Sequence, residues 1–242
     1  YHKEQDTPFK AVKNDGTVSD GSEFFQEAVA AAESVINTGK FSLYTETDMP
    51  YFNCFNRQNQ SDNPEIIMFR HILKERGELI QNPSRFIYSA TSNVYGQVGV
   101  TKDLVEAFID VEGNPLSQSS FNYNDNTLEG VFENRDPRLK QLLYYPGFTV
   151  YDGEETLIYP EVPNLDFCPT GYHLKKGASQ IYDNHINFNE DETDYIIFRY
   201  GEVLLNYIEA KAELDINSIT QNDLNITVNA LRDRGGLPPA AH

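Results

Sequence analysis

The sequence predicts a mostly α-helical fold carrying long irregular loops and a few short strands. Two observations predict it. Apolar residues recur at helical spacing over about 22–38 and again over about 195–234. Between these blocks the chain is broken by Gly, Pro, Asn and Ser, and only short runs keep a helical period.

Residues 1–20 are polar and pass through Asn14-Asp15-Gly16, which reads as a loop or linker. The first helix follows, with Phe25, Val29, Ala32 and Ile36 on one face. Ser22 or Asp20 can cap it, and Gly39 stands where a left-handed residue ends a helix. Phe41 to Tyr44 is a short extended piece. Glu65 to Arg70, after the breaker Pro64, reads as a buried strand or a short helix. Residues 77–99 are irregular, and long loops in compact domains are often functional. Thr101 can cap a second helix with Leu104, Val105 and Phe108 as its buried face. Asp136 can cap a third, with Pro137 in its first turn and Leu139, Leu142 and Leu143 on its apolar side. Loops and short strands are expected over 148–194. The acidic run Asn189 to Asp194 lacks the glycine and closing glutamate of a calcium loop and reads as solvated.

The C-terminal block predicts a helix over 195–214 with Ile197, Val203, Leu204, Leu205, Ile208 and Ala212. Thr220-x-x-Asp223 then opens a second helix as a capping box, with Leu224, Val228 and Leu231 on one face. Gly235-Gly236 closes it and Pro238-Pro239 prevents continuation. Two such helices form an antiparallel hairpin. No clean repeat of about 34 residues accompanies it.

Composition narrows the function. A formal net charge of −18 repels phosphate backbones and anionic membrane surfaces, so neither is an expected partner. No apolar run reaches the ~18 residues of a membrane span. Cys54 and Cys168 can pair or remain as buried thiols; neither sits at metal-ligand spacing. There are 15 Tyr and 15 Phe but no Trp, so any aromatic binding platform must use phenyl or phenol rings.

No nucleophile elbow, phosphate-binding loop, zinc-binding His pair or dinucleotide fingerprint is present. With 37 Asp and Glu, a glycosidase pair always looks available, so carboxylates carry no signal. No catalytic residue, metal or cofactor is therefore expected. Three polar clusters stand out: Arg135, Asp136 and Arg138; Arg199 and Glu202; Asn229, Arg232 and Arg234. Arginine forks tie loops to helix ends, so these residues are expected to be structural. Arg70, Tyr88, Asn93 and Tyr95, in or near the irregular 77–99 stretch, are the candidate ligand-binding residues.

The same clusters carry a resemblance. Phe132 to Leu139 resembles a segment of SusD/RagB proteins. So do Thr170-Gly171-Tyr172 with Lys175-Lys176, Ile197 to Ala210, and Val228 to Leu237. Their order and spacing match over about 22–238. The resemblance implies TPR-like helical hairpins in a single domain spanning 1–242, the C-terminal portion of such a protein, with an N-terminal helical part outside it. It implies a non-catalytic nutrient-binding lipoprotein on the extracellular face of the outer membrane. A lipid anchor would lie outside this chain. The implied partner is a SusC-like TonB-dependent transporter, and the implied cargo is a glycan, with oligopeptides as the alternative. A scaffold that binds only the transporter is a third reading, and a hydrolase a fourth.

Overall fold

The structure is a computed structural model that describes residues 12, 14–19, 21–76, 82–88 and 99–240. Helix α1 spans Ser22–Asn37. Its N-cap is neither of the expected residues but Gly21, at φ 87 and with no side-chain cap. That left-handed backbone carries no Cβ penalty only for glycine. Gly39 (φ 62) follows the helix as expected. A single turn, α2 (Pro50–Asn53), has no cap of its own. The Oε1 of buried Gln141 accepts from the Tyr51 and Phe52 amides at 2.8 and 3.3 Å and supplies one.

The Glu65 to Arg70 run resolves as a strand, β1 (Ile66–Arg70), with only its first residue buried. Helix α3 (Pro83–Ile87) lies inside the stretch expected to be irregular. Helix α4 (Lys102–Ala107) is capped by Thr101, whose Oγ1 accepts from the Leu104 amide at 3.2 Å. Its buried face is narrower than expected: Val105 is fully buried but Leu104 is 45% exposed. A helix of six residues turns only one position of that stripe fully inward. Then come α5 (Leu128–Val131) and α6 (Pro137–Leu142). Asp136 caps α6 and Leu139 and Leu143 are fully buried, as the spacing predicts.

Strands β2 (Thr149–Tyr151) and β3 (Leu157–Ile158) form a small antiparallel pair, followed by α7 (Tyr182–Ile186). The helix expected from 195 begins later. Residues Tyr195–Arg199 are a strand, β4, antiparallel to β1 with Ile66 facing Arg199 and Arg70 facing Tyr195. β-branched and aromatic residues favour a pleated, half-buried surface, and a partner strand was at hand. Helix α8 occupies Tyr200–Asp215. The last helix runs as α9 (Gln221–Leu224), a π turn (Asn225–Asn229) and α10 (Ala230–Arg234). The capping box at its start is complete: Thr220 Oγ1 accepts from the Asp223 amide, and Asp223 Oδ2 accepts from the Thr220 amide. Helix α8 packs against both α1 and this last helix. The Tyr207 hydroxyl donates to Asp223 Oδ1 at 2.9 Å across the second contact.

The main core is aromatic, built from Phe52, Tyr88, Leu139, Tyr144, Phe148 and Tyr159 among others. It also encloses an amine. Lys175 is fully buried, with Nζ 3.5 Å from the Phe148 ring centroid and 4.6 Å from that of Phe52. The one hydrogen-bond contact of Nζ among the described residues is Met49 Sδ at 4.0 Å. Burial pushes its pKa down to about 7.

The acidic run is not the solvated loop expected of it. Asp191 and Asp194 are buried. Asp191 accepts from the Ser84 amide at 2.8 Å, serving the uncapped start of α3. Asp194 accepts from the Gln60 and Ile72 amides at 2.9 and 3.0 Å. Short helices and turns leave amides without partners, and distant carboxylates satisfy them. Among the described residues no helix is long and apolar enough to cross a membrane.

Candidate functional site

Glu65 organises the site, and sequence reasoning treated it only as the start of a buried strand or short helix. It is fully buried. Arg199 Nη1 donates to its Oε1 at 2.7 Å; Arg234 Nη1 donates to its Oε2 at 2.5 Å. The Tyr44 amide adds a third donor at 2.9 Å. One carboxylate thus ties the 41–44 segment, the β4–α8 junction and α10 to β1. Each guanidinium gives one charge-assisted bond to a different oxygen of the buried carboxylate, so the carboxylate does not stand unpaired. The only sequence signal was an acidic residue at the mouth of an apolar run.

Next to this seam lies an aromatic pair. Tyr51, on α2, and Phe55, just beyond it, meet edge to face with centroids 5.4 Å apart. Lys176 Nζ donates to the Tyr51 hydroxyl at 3.0 Å and lies 4.0 Å from the Phe55 centroid. Arg199 sits 5.6 Å from the Phe55 ring and Arg234 5.7 Å from the Tyr51 ring. The Leu142 carbonyl accepts both the Lys175 and Lys176 amides. From there Lys175 enters the core while Lys176 reaches the cleft.

Two clefts share this wall. The smaller, about 410 Å³, is lined by Phe55, Ile87, Lys176, Tyr195, Arg199 and Glu202 among others. The larger, about 550 Å³, is lined by Tyr51, Arg138, Arg199, Leu231, Arg232 and Arg234 among others. Arg199 lines both. Apolar ring surface beside a few fixed donors is the usual chemistry of a small-molecule cleft.

Glycines leave room for the arginines. A Cβ at Gly201 would strike Arg199 Nη1, one at Gly113 would strike Arg232 Nη2, and one at Gly235 would crowd the Arg138 chain. Arg138 is held further by Asp136, which accepts from its Nε and Nη2. Arg232 Nε donates to the Pro238 carbonyl at 2.6 Å.

Arg138, Arg199 and Arg232, far apart in sequence, thus meet at one cleft. Glu202 is exposed in the first turn of α8 and lines the smaller cleft. Arg135 is buried, donating from Nη2 to the Val105 and Phe108 carbonyls at 2.6 and 2.9 Å. Asn229 pins the tail through two bonds to the Ala240 backbone. Of the candidate ligand-binding residues, Arg70 is exposed at the end of β1 and lines neither cleft, although its strand partner Tyr195 lines the smaller one. Tyr88 lies in the core, stacked on His173 at 4.9 Å, so its ring faces protein rather than solvent. Asn93 and Tyr95 lie outside the described residues. Cys54 and Cys168 are free, buried thiols, and burial together with the Glu65 charge pushes Cys54 up to about 11. Tyr51, Phe55 and Tyr195 were missed. For the first two a signal existed: aromatics four apart behind Pro50 share a helix face.

A model of the SusD family matches residues 47–242. Among solved structures, a SusD-like carbohydrate binding protein from Bacteroides fragilis is 22% identical, with a TM-score of 0.68 over 92% of this chain and 44% of its own. A second SusD-like protein from the same species is 22% identical, with a TM-score of 0.66 over 92% of this chain and 46% of its own. A SusD superfamily protein from Parabacteroides distasonis is 18% identical, with a TM-score of 0.57 over 92% of this chain and 41% of its own. The chain spans less than half the length of each, and at these identities the likeness is one of fold. No curated protein matches.

Proposed function

This chain belongs to the SusD family, and on that premise we propose that it captures glycans at the cell surface without transforming them. The observation that carries the reading is the pair of adjoining clefts. Their shared wall sets the Tyr51 and Phe55 rings beside the fixed donors of Lys176 and Arg199. Sugar rings present C–H faces that pack on aromatic surfaces, and their hydroxyls take planar, oriented donors. Tyr and Phe serve here in place of the absent Trp.

Two of the three carboxylates that line these clefts, Asp136 and Asp194, are committed to the fold, which supports binding over catalysis; the third, Glu202, is exposed and has no such commitment. Asp136 is held by Arg138 and by the α6 amide it caps. Asp194 is occupied by two backbone amides and by His71. A carboxylate committed to holding the fold is poorly placed to protonate a glycosidic oxygen or activate water. In the same proposal the helix pairs around α8 are TPR-like hairpins. A lipid anchor outside this chain holds the protein on the extracellular face of the outer membrane. The captured glycan passes to a SusC-like TonB-dependent transporter.

Isothermal titration against a panel of oligosaccharides and mixed peptides, followed by product analysis, tests the reading. Binding of one glycan class, returned intact, is the expected result. Binding of peptides alone would move the cargo class, binding of nothing would favour a transporter scaffold, and any cleaved product would end the non-catalytic reading.

A further inference from the structure

We propose that the larger cleft selects acidic glycans, holding a sugar-borne oxyanion (a carboxylate or a sulfate ester) between Arg138, Arg199 and Arg232. The proposal rests on the capture reading above and narrows its cargo.

Charge is the first observation. Four guanidiniums line this cleft, with Asp136 as the one carboxylate beside them. Glu65, buried behind the wall, offsets one more. The cleft stays net positive in a chain of net charge −18. Screening confines the repulsion of the remote carboxylates to about 8 Å at physiological salt, so the near arginines dominate a ligand already inside the cleft.

Spare donors are the second. The structural partners consume only part of each fork. Arg199 uses Nη1 for Glu65, Arg232 uses Nε for Pro238, and Arg138 uses Nε and Nη2 for Asp136. Among the described residues, the remaining nitrogens of these three have no hydrogen-bond partner. Preorganisation is the third. The bonds to Glu65, Pro238 and Asp136 anchor the same three side chains, so part of the rotamer entropy is already lost before binding. Planar forks of this kind match the two oxygens of a carboxylate or sulfate. Tyr51 and Leu231 supply apolar wall beside them for the sugar ring.

The test titrates the chain with neutral oligosaccharides and with length-matched uronate-containing and sulfated ones. Acidic ligands should bind about tenfold or more tightly, the scale of one charge-assisted hydrogen bond. Arg232→Gln should remove most of that preference, weakening acidic ligands far more than neutral ones, while Arg232→Lys should restore part of it. Equal affinity for neutral and acidic ligands overturns the proposal and leaves glycan capture standing. Binding of no oligosaccharide of either kind overturns both. If Arg232→Gln fails to fold, the comparison of ligands on the unaltered chain still decides.

Discussion

The molecule buries cations in two ways, and the two regions behave differently. At the seam, Arg199 and Arg234 share the fully buried Glu65, which offsets one of their two charges, and their remaining donors are free to form a cleft wall. In the core, Lys175 has ring faces and a thioether but no carboxylate. Three rings attract an ammonium, yet desolvation outweighs them and pushes the amine toward neutrality. A paired cation is therefore a fixed part of the cleft wall. The amine of Lys175 changes charge near neutral pH.

Breaking the pair gives the largest effect. Glu65→Gln leaves two guanidiniums facing a neutral amide, and loss of one partner of a buried ion pair costs about 3–5 kcal/mol. Urea unfolding should show it as a large drop in midpoint; a drop worth less than ~1 kcal/mol would mean that solvent already screens the seam.

Lys175 sharpens the contrast through pH. Its folded pKa, about 7, lies below the ordinary 10.5. Between those values the unfolded chain holds a proton that the folded chain lacks, so stability rises with pH across this window. From pH 7 to 9 the gain is about 2 kcal/mol, at up to ~1.4 kcal/mol per unit. Lys175→Met should flatten that rise and raise stability most at pH 6. Unchanged pH dependence in the variant would show that Lys175 does not titrate in the window. Buried Tyr144 and Tyr159, whose hydroxyls burial pushes upward, reverse the trend at still higher pH.

The smallest effect lies at the shallow pair beside the last helix. Lys211 Nζ is 2.8 Å from Asp223, and neither group is fully buried. Lys211→Ala should cost ~1 kcal/mol or less and lose its effect in high salt. Burial raises the Asp223 pKa, but bonds from Lys211, Thr220 and Tyr207 outweigh it and hold the carboxyl below the usual range. Its contribution is present above pH ~4 and fades as pH falls through the lowered value. An acid titration that shows no difference between the chain and Asp223→Asn would contradict this.

What could be read from the sequence follows from the range of the forces involved. Caps and helix stripes are local, so Thr101, Asp136 and the Thr220–Asp223 box were legible residue by residue. Residues 195–199 were misread as helix because their state depends on β1, some 130 residues away in the chain. Glu65 and the buried Asp191 and Asp194 were illegible for the same reason: a carboxylate looks solvated until its distant amides or guanidiniums are known. The arginine clusters were seen as groups. Their convergence on one cleft needed the third dimension, although Gly201 and Gly235, already inside the family-like segments, mark where arginines pass close to backbone.

The most direct test of the capture account is a crystal structure of the chain with the oligosaccharide that binds best in titration. The account predicts an intact sugar in the paired clefts, against Tyr51 and Phe55 and within reach of Lys176 and Arg199. A sugar bound elsewhere, with both clefts empty of it, would contradict the assignment of this wall as the binding site.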